Sequence, residues 1–172
     1  PETLLQRLRT VSAADMAADE GWRFAPVAVL SHVEADTINH SQLEAFAKAF
    51  GLPLIKWRLR MVDEIEDAEV RDCLYAEEPG LWGYFVEGAP INITENIASV
   101  RKLVNGTPAL LDSLKFEDDH VPDEVANAYA RGGFCVIEIK PPEAVNVCVG
   151  GKASPPTSPP ASSHTRPPIA AN

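Results

Sequence analysis

Several features that mark whole classes of protein are missing from this sequence of 172 residues. No apolar run approaches the roughly 20 residues that a membrane helix needs, and no secretory signal pattern opens the chain. Its cysteines, Cys73, Cys135 and Cys148, are odd in number and lack the CxxC pairs or neighbouring histidines of a zinc site. We therefore predict an intracellular chain, in the cytoplasm or the nucleus, that has reduced thiols and no membrane contact.

The signatures of common enzymes are missing as well. No GxxxxGK[ST] run is present, the motif in which backbone amides and a lysine hold the phosphates of a nucleotide. The sequence has no GxSxG or HExxH motif, its 4 histidines are scattered, and its paired carboxylates lie in polar, exposed-looking stretches. We predict no catalytic residue, no metal ligand and no cofactor site in this chain.

The charge balance restricts how the chain can meet nucleic acid. Its formal net charge is −10, whereas lysines and arginines that neutralise phosphates supply most non-specific DNA affinity. Any contact with DNA must therefore be local. The hydrophobic share of 45% and the charged share of 23% predict an ordinary globular domain with a buried core.

The first third of the chain has the pattern of a helix and strand layer. Short helices are predicted at 2–9 and 12–21, and the apolar run 27–30 predicts a buried strand. Apolar residues at helical spacing then predict a helix over 34–50, ended by Gly51.

Alternation over 56–61 predicts the next strand, with Trp57 on its apolar face and Lys56 and Arg58 on a basic face. The basic face either meets a DNA backbone or pairs with acids just downstream. The acidic stretch 63–78, which holds those candidate partners, predicts a surface helix or loop. The candidate acidic partners in this stretch are Asp63, Glu64 and Glu66. Trp57 is expected in the core, while Trp82 is either a core residue or a platform for a nucleic-acid base.

From residue 81 onward the sequence consists of short strand-like runs separated by turn residues. This pattern indicates a small barrel or an antiparallel extension of a sheet. A short helix is expected to reach Ala130, and Pro141-Pro142 marks a tight hairpin or a crossover. The residues after 151, rich in proline and serine, predict a disordered tail. The predicted strands are 82–86, 91–94, 108–116, 134–139 and 145–149.

One pair of segments is more specific than these patterns. Gly88-Ala89-Pro90 leads to Thr94-Glu95-Asn96-Ile97, and Leu103-Val104-Asn105-Gly106-Thr107 follows. This arrangement, GAPxxxTxNI and then LVNGT, resembles the stretch of PIF-type (RecD-like) superfamily 1 DNA helicases where the second motor domain gives way to a small SH3-like barrel. The run 26–39 is similar to the fourth helicase motif and its lead-in, so the resemblance covers roughly residues 4–149.

The resemblance implies a fold and a parent function. The fold class would be α/β: a partial RecA-like second motor domain over 1–80, a small SH3-like β unit over 81–151 and the tail 152–172. The parent would be an ATP-dependent five-prime to three-prime DNA helicase of the kind used in DNA repair. ATP and Mg²⁺ are expected only for that complete helicase, because the phosphate-binding loop lies outside this chain.

The resemblance also implies partners and contact residues. The expected partners are single-stranded DNA, bound weakly, and the remaining helicase domains. Two departures from the fourth motif weaken any nucleotide contact: His32 stands where the family commonly has asparagine, and Ala35 where it has arginine. The predicted nucleic-acid-binding residues are Asn96, Asn105, Gly106, Thr107, Lys56 and Arg58.

Alternatives remain open at this point. Turn chemistry alone accounts for Gly88, Asn105 and Gly106, because glycine and asparagine tolerate positive φ. The whole chain is alternatively a non-enzymatic acidic interaction module that contacts basic partners, such as a decayed helicase copy from a mobile element. An unrelated small hydrolase is a third reading with no nucleophile to support it. Pro1, which opens the chain inside a predicted helix, indicates part of a longer or processed product.

Overall fold

The computed structural model of the protein describes residues 27, 29–61, 65–101, 103–117 and 120–150. Within these ranges the chain is mixed α/β, with helices α1 (His32–Phe50), α2 (Ala68–Glu77) and α3 (Asp123–Arg131) and two 3₁₀ turns, Pro79–Leu81 and Ser99–Arg101. The strands are β1 (Pro53–Arg58), β2 (Trp82–Phe85), β3 (Pro90–Asn92), β4 (Pro108–Lys115), β5 (Cys135–Ile139) and β6 (Ala144–Val149). None of these helices is long and apolar enough to cross a bilayer.

Helix α1 confirms the predicted helix and begins two residues earlier than its pattern indicated. It buries Phe46 and Ala47. Gly51 ends it in the left-handed conformation, at φ 62°, with its backbone N–H directed at the carbonyls of Ala47 and Lys48. A residue with a Cβ is strained at this φ, which is why glycine stops the helix here.

Strand β1 is the centre of the first sheet, whose order is β2-β1-β5. It pairs antiparallel with β2 and parallel with β5. A parallel neighbour requires a long crossover, and residues 59–134 provide it. The first sheet therefore takes strands from both sides of residue 80. Leu54 and Ile55 point to opposite faces of β1 and are both almost completely buried, so both faces of this strand are covered.

The second sheet has the order β3-β4-β6, and all of its pairs are antiparallel. A register shift between Leu111 and Ser113 bends β4. The sheet is open: no described strand closes it into a barrel. Pro141-Pro142 separates β5 of the first sheet from β6 of the second, so this segment is a crossover and not a hairpin.

One hydrophobic core joins the two sheets with helices α1 and α3. Its centre is formed by Ile55 and Trp57 of β1, with Leu111 of β4 and Val125 of α3 packed in the same cluster. Apolar burial of this kind contributes about 25 cal/mol per Å² removed from water. The two sheets are therefore held by shared side chains as well as by the chain that connects them.

The strand predicted at 27–30 is wrong. The described residues of this segment lie outside any strand, Val27 is exposed and Leu30 is fully exposed. The physical reason is that an apolar run becomes a strand only when it pairs with a neighbouring strand, and no described strand pairs with this segment. Both edges of β1, the strand with which a βαβ unit would pair it, are occupied by β2 and β5. The predictions for 2–9, 12–21 and 152–172 lie outside the described residues.

Candidate nucleic-acid interface

The Gly-Ala-Pro bend lies between the two sheets, where β2 ends and β3 begins. Gly88 adopts φ 77°, and its N–H donates to the carbonyl of Leu111 at 2.8 Å. The N–H of Leu111 donates in turn to the carbonyl of Ala89 at 2.9 Å, and Ala89 is completely buried. The bend is thus attached to the middle of β4, close to the bulge.

A loop from Ile93 to Thr107, which we call the β3–β4 loop, closes on itself at its base. The N–H of Ile93 donates to the carbonyl of Thr107 at 2.9 Å, and the N–H of Gly106 donates to the carbonyl of Ile93 at 2.7 Å. Gly106 has φ 86°, and a Cβ there would have no neighbouring atom within 4 Å. Its backbone therefore faces open space.

Two predicted contact side chains hold this base together. The Oδ1 atom of Asn96 accepts the N–H of Asn105 at 3.0 Å, and the Oγ1 atom of Thr107 accepts the N–H of Val104 at 3.1 Å. The structure therefore brings Asn96, Asn105 and Thr107 into one hydrogen-bonded unit, together with the Gly106 turn. The two interpretations of these residues, turn formation and nucleic-acid binding, therefore concern the same loop base.

Beyond its base the β3–β4 loop exposes aliphatic side chains. An isolated bridge between Ala98 and Leu103, with N–H to O distances of 3.0 and 3.1 Å, fixes the far part of the loop. Ile97 is 67% exposed and Val100, inside the 3₁₀ turn, is 100% exposed. The predicted strand and turn pattern gave no indication of this apolar tip, which we define by Ile97 and Val100.

Arg58 lies on the first sheet, not on the loop. Its Nη1 atom is 2.6 Å from Oδ1 of Asp72, on α2, and its Nε atom is 3.3 Å from Oε1 of Glu138, on β5. The hydrogen bond that Arg58 donates to Asp72 raises the pKa of the guanidinium. Internal pairing, one of the two interpretations, is thus present for Arg58, with Asp72 and Glu138 as partners; Asp63 and Glu64, two of the three acids predicted for this role, lie outside the described residues. Helix α2 and strand β5 are close only in the folded chain.

Lys56 lies next to Arg58 on the same face of the sheet. Its Nζ atom is 3.8 Å from the centre of the Trp82 ring and 3.7 Å from Oε2 of Glu138. The Trp82 indole N–H donates to the carbonyl of Tyr75 at 2.6 Å. Trp82 is therefore half-buried, with the Lys56 ammonium over its ring and its indole N–H bonded within the fold. Trp57 is buried in the core, as predicted.

A groove of about 790 Å³ separates α1 from the second sheet. None of the described residues that line it carries a charge, although the chain has a net charge of −10. Ala35 is on its wall, and an arginine there would have added a positive charge. The polar side chains in the lining include Asn39, Gln42, Asn92 and Thr94. Amides of this kind donate to and accept from base edges, a chemistry that the sequence patterns did not reveal.

No group of histidine, cysteine and acidic side chains that could hold a metal ion occurs among the described residues. Comparison of the chain with protein-family models, with curated protein sequences and with solved structures gives no match. The resemblance to PIF-type helicases therefore rests on the motif residues themselves and on the contacts that they make in the structure.

Proposed function

We propose that this chain is part of a PIF-type DNA helicase and contributes contacts to single-stranded DNA without hydrolysing ATP by itself. In this proposal residues 1–80 belong to a RecA-like second motor domain and residues 81–151 to an SH3-like unit, from which β2 and β5 extend to complete the first sheet. One observation carries it: the two separated pieces of the helicase-like motif meet in the base of a single loop.

A hydrogen bond joins the two pieces of the motif directly within the loop. Asn96 and Asn105 are nine residues apart, and the side chain of one accepts from the backbone of the other. The preceding Gly88 bend is attached to β4, the strand that follows the loop. A motif whose parts form one structural unit is the arrangement that a DNA-contacting turn requires.

Phosphate contacts come from donors at this base. The carboxamide of Asn96 uses its oxygen within the loop, and an amide still carries two N–H donors on its nitrogen. The open side of Gly106 allows a phosphate or sugar to approach the backbone closely. The described residues that line the groove beside α1 place no negative charge against a DNA strand that lies there.

ATP and Mg²⁺ enter this proposal only through the complete helicase. The phosphate-binding loop and the metal-binding carboxylates would be supplied by the remaining domains. Sequencing the transcript upstream of the Pro1 codon tests this part: an open frame that encodes GxxxxGK[ST] supports it, and an unrelated upstream frame contradicts it.

Binding by the chain itself is tested with a fluorescein-labelled thymidine oligonucleotide in anisotropy titrations at about 20 and 200 mM salt. We expect weak binding that decreases with salt, because phosphate contacts release counterions. Asn96→Asp keeps the oxygen acceptor but adds a negative charge, and should weaken binding, whereas Glu66→Gln, away from the loop, should not. Absence of binding at low salt and high protein concentration would reject DNA contact.

A second candidate is the acidic interaction module, which α2 favours. Among the residues of α2 only Tyr75 is buried, and Glu69, Asp72 and Glu77 are exposed. Such a helix presents negative charge to a basic partner. Salt-sensitive retention of the chain on a polylysine peptide, lost in a Glu69→Gln/Glu77→Gln variant, together with no oligonucleotide binding, would favour this candidate over the helicase part.

A further inference from the structure

The exposed tip of the β3–β4 loop has no role in the packing of the chain. Val100 is completely exposed and Ile97 two-thirds exposed, at 100% and 67%. Single exposed aliphatic residues are common, but two at the end of one short loop form a small apolar projection. The core cluster contains neither residue, so the fold does not explain them.

The loop holds this projection in a fixed geometry. The N–H groups of Ile97 and Ala98 both donate to the carbonyl of Leu103, at 3.1 and 3.0 Å, and Leu103 donates back to Ala98. The base is closed by the Asn96 and Gly106 hydrogen bonds described above. A tip that is already ordered loses little conformational entropy when it inserts into a partner.

The charge of the loop restricts the class of that partner. The β3–β4 loop contains Arg101, Lys102 and one acidic residue, Glu95, so its formal charge is positive although the chain as a whole carries −10. An apolar tip in a locally basic segment fits a ligand that combines apolar surfaces with negative charge. Single-stranded DNA, with stacked bases on a phosphate chain, has this chemistry.

A lipid surface with anionic headgroups has related chemistry, but the apolar area is too small for it. The side chains of Ile97 and Val100 together offer about half the carbon atoms of a myristoyl chain, and one myristoyl chain alone gives only marginal membrane binding. A base step needs much less, because a single aliphatic side chain is enough to wedge between two bases.

Resting on the proposed function, we infer that Ile97 and Val100 form an apolar wedge that inserts between the bases of single-stranded DNA bound at the base of the β3–β4 loop. The phosphate contacts at Asn96 and Gly106 position the strand, and the tip separates neighbouring bases. Because the contact is to base faces, it does not depend on sequence.

The test uses the full chain with a 12-nucleotide thymidine oligomer, an abasic oligomer of the same length, and an oligomer that carries 2-aminopurine. Val100→Ser should weaken binding to the thymidine oligomer about three- to tenfold and leave abasic binding unchanged, since aliphatic contact with bases is lost. Val100→Trp should tighten binding, with quenching of the new tryptophan by the bases. Val121→Ser, an exposed valine outside the loop, is the matched control.

The outcomes separate the wedge from the proposed function. Wild-type binding with 2-aminopurine fluorescence raised by unstacking supports the wedge. Wild-type binding that Val100→Ser and Val100→Trp leave unchanged rejects the wedge and retains DNA contact. No wild-type binding rejects both, and co-sedimentation with phosphatidylserine vesicles in the absence of DNA binding assigns the tip to a membrane and rejects the wedge.

Discussion

The indole of Trp57 lies directly on the backbone of Gly83, the residue that faces it across the β1–β2 pair. A Cβ on Gly83 would overlap Cε2, Nε1 and Cζ2 of that indole, and these atoms belong to a rigid, buried ring. Glycine is therefore required here by packing and not by a backbone angle. The largest core side chain of β1 fits because its neighbour has no side chain.

Gly83→Ala is expected to destabilise the protein by about 1–3 kcal/mol, because added volume in a packed core forces side chains and backbone to shift. Urea denaturation measures the change. Gly80→Ala is the control: its Cβ would meet only the carboxylate end of Asp36, which can move. Adding Trp57→Leu to Gly83→Ala should cost less than the sum of the two single changes. Additive effects would show that the contact is not the cause.

Asn96→Ala is expected to lower the free energy of unfolding by about 0.5–1.5 kcal/mol, the net value of one hydrogen bond. Asn96→Asp keeps an oxygen acceptor for the Asn105 N–H and should stay close to the wild type. Urea denaturation and amide hydrogen exchange of Asn105 together measure this. Equal losses in the two variants would mean that the side-chain oxygen does not hold the loop.

The Arg58–Asp72 pair joins α2 to the first sheet. A double-mutant cycle with Arg58→Gln and Asp72→Asn should give a coupling energy of about 0.2–1 kcal/mol, the range for exposed ion pairs. Both side chains are more than a third exposed, so the coupling should fall as salt rises. A coupling that is zero at low salt, or that does not respond to salt, would contradict a stabilising ion pair.

Glu87 gives the folded protein a pH dependence. Partial burial raises the pKa of its carboxyl, the negative charge of Asp112 raises it further, and a hydrogen bond with Tyr129 partly offsets the rise. The folded state then binds the proton on Glu87 more tightly than the unfolded chain does. The stability that this proton contributes is fully present below the unfolded pKa of about 4.3 and is lost as pH rises through the higher folded pKa.

Glu87→Gln should therefore be more stable than the wild type at pH 7, by a few tenths of a kcal/mol because the site is partly exposed, and equally stable near pH 4. Thermal unfolding followed by circular dichroism at the two pH values checks this. Glu66→Gln, at an exposed site away from Asp112, is the control. A larger benefit at pH 4 than at pH 7 would reverse the assigned sign.

Local patterns predicted most of the elements. The apolar spacing before Gly51 predicted α1, and β4 and β5 lie within the runs predicted at 108–116 and 134–139. These predictions succeeded because period and turn chemistry act over a few residues. The segment 27–30 failed because a strand also needs a neighbouring strand to pair with, and the sequence does not show which strands will pair.

The candidate site was likewise predicted only in part from the sequence. Asn96, Asn105, Gly106 and Thr107 were predicted from the motif, and they meet in one loop base because the turn that glycine and asparagine allow is local. The Lys56–Arg58 face was predicted from alternation, but its partners came from distant elements. The uncharged groove and the apolar tip were missed, since neither has a period or a short motif.

By itself the sequence determined the helices, the short strands, the turns and the loop that carries the helicase-like motif, because these follow from the spacing and backbone preferences of neighbouring residues. Only the tertiary structure decided which strands pair, that the second sheet stays open, and that Arg58 meets Asp72. Such contacts join residues far apart in the chain, and their free energy depends on burial and distance in the folded molecule.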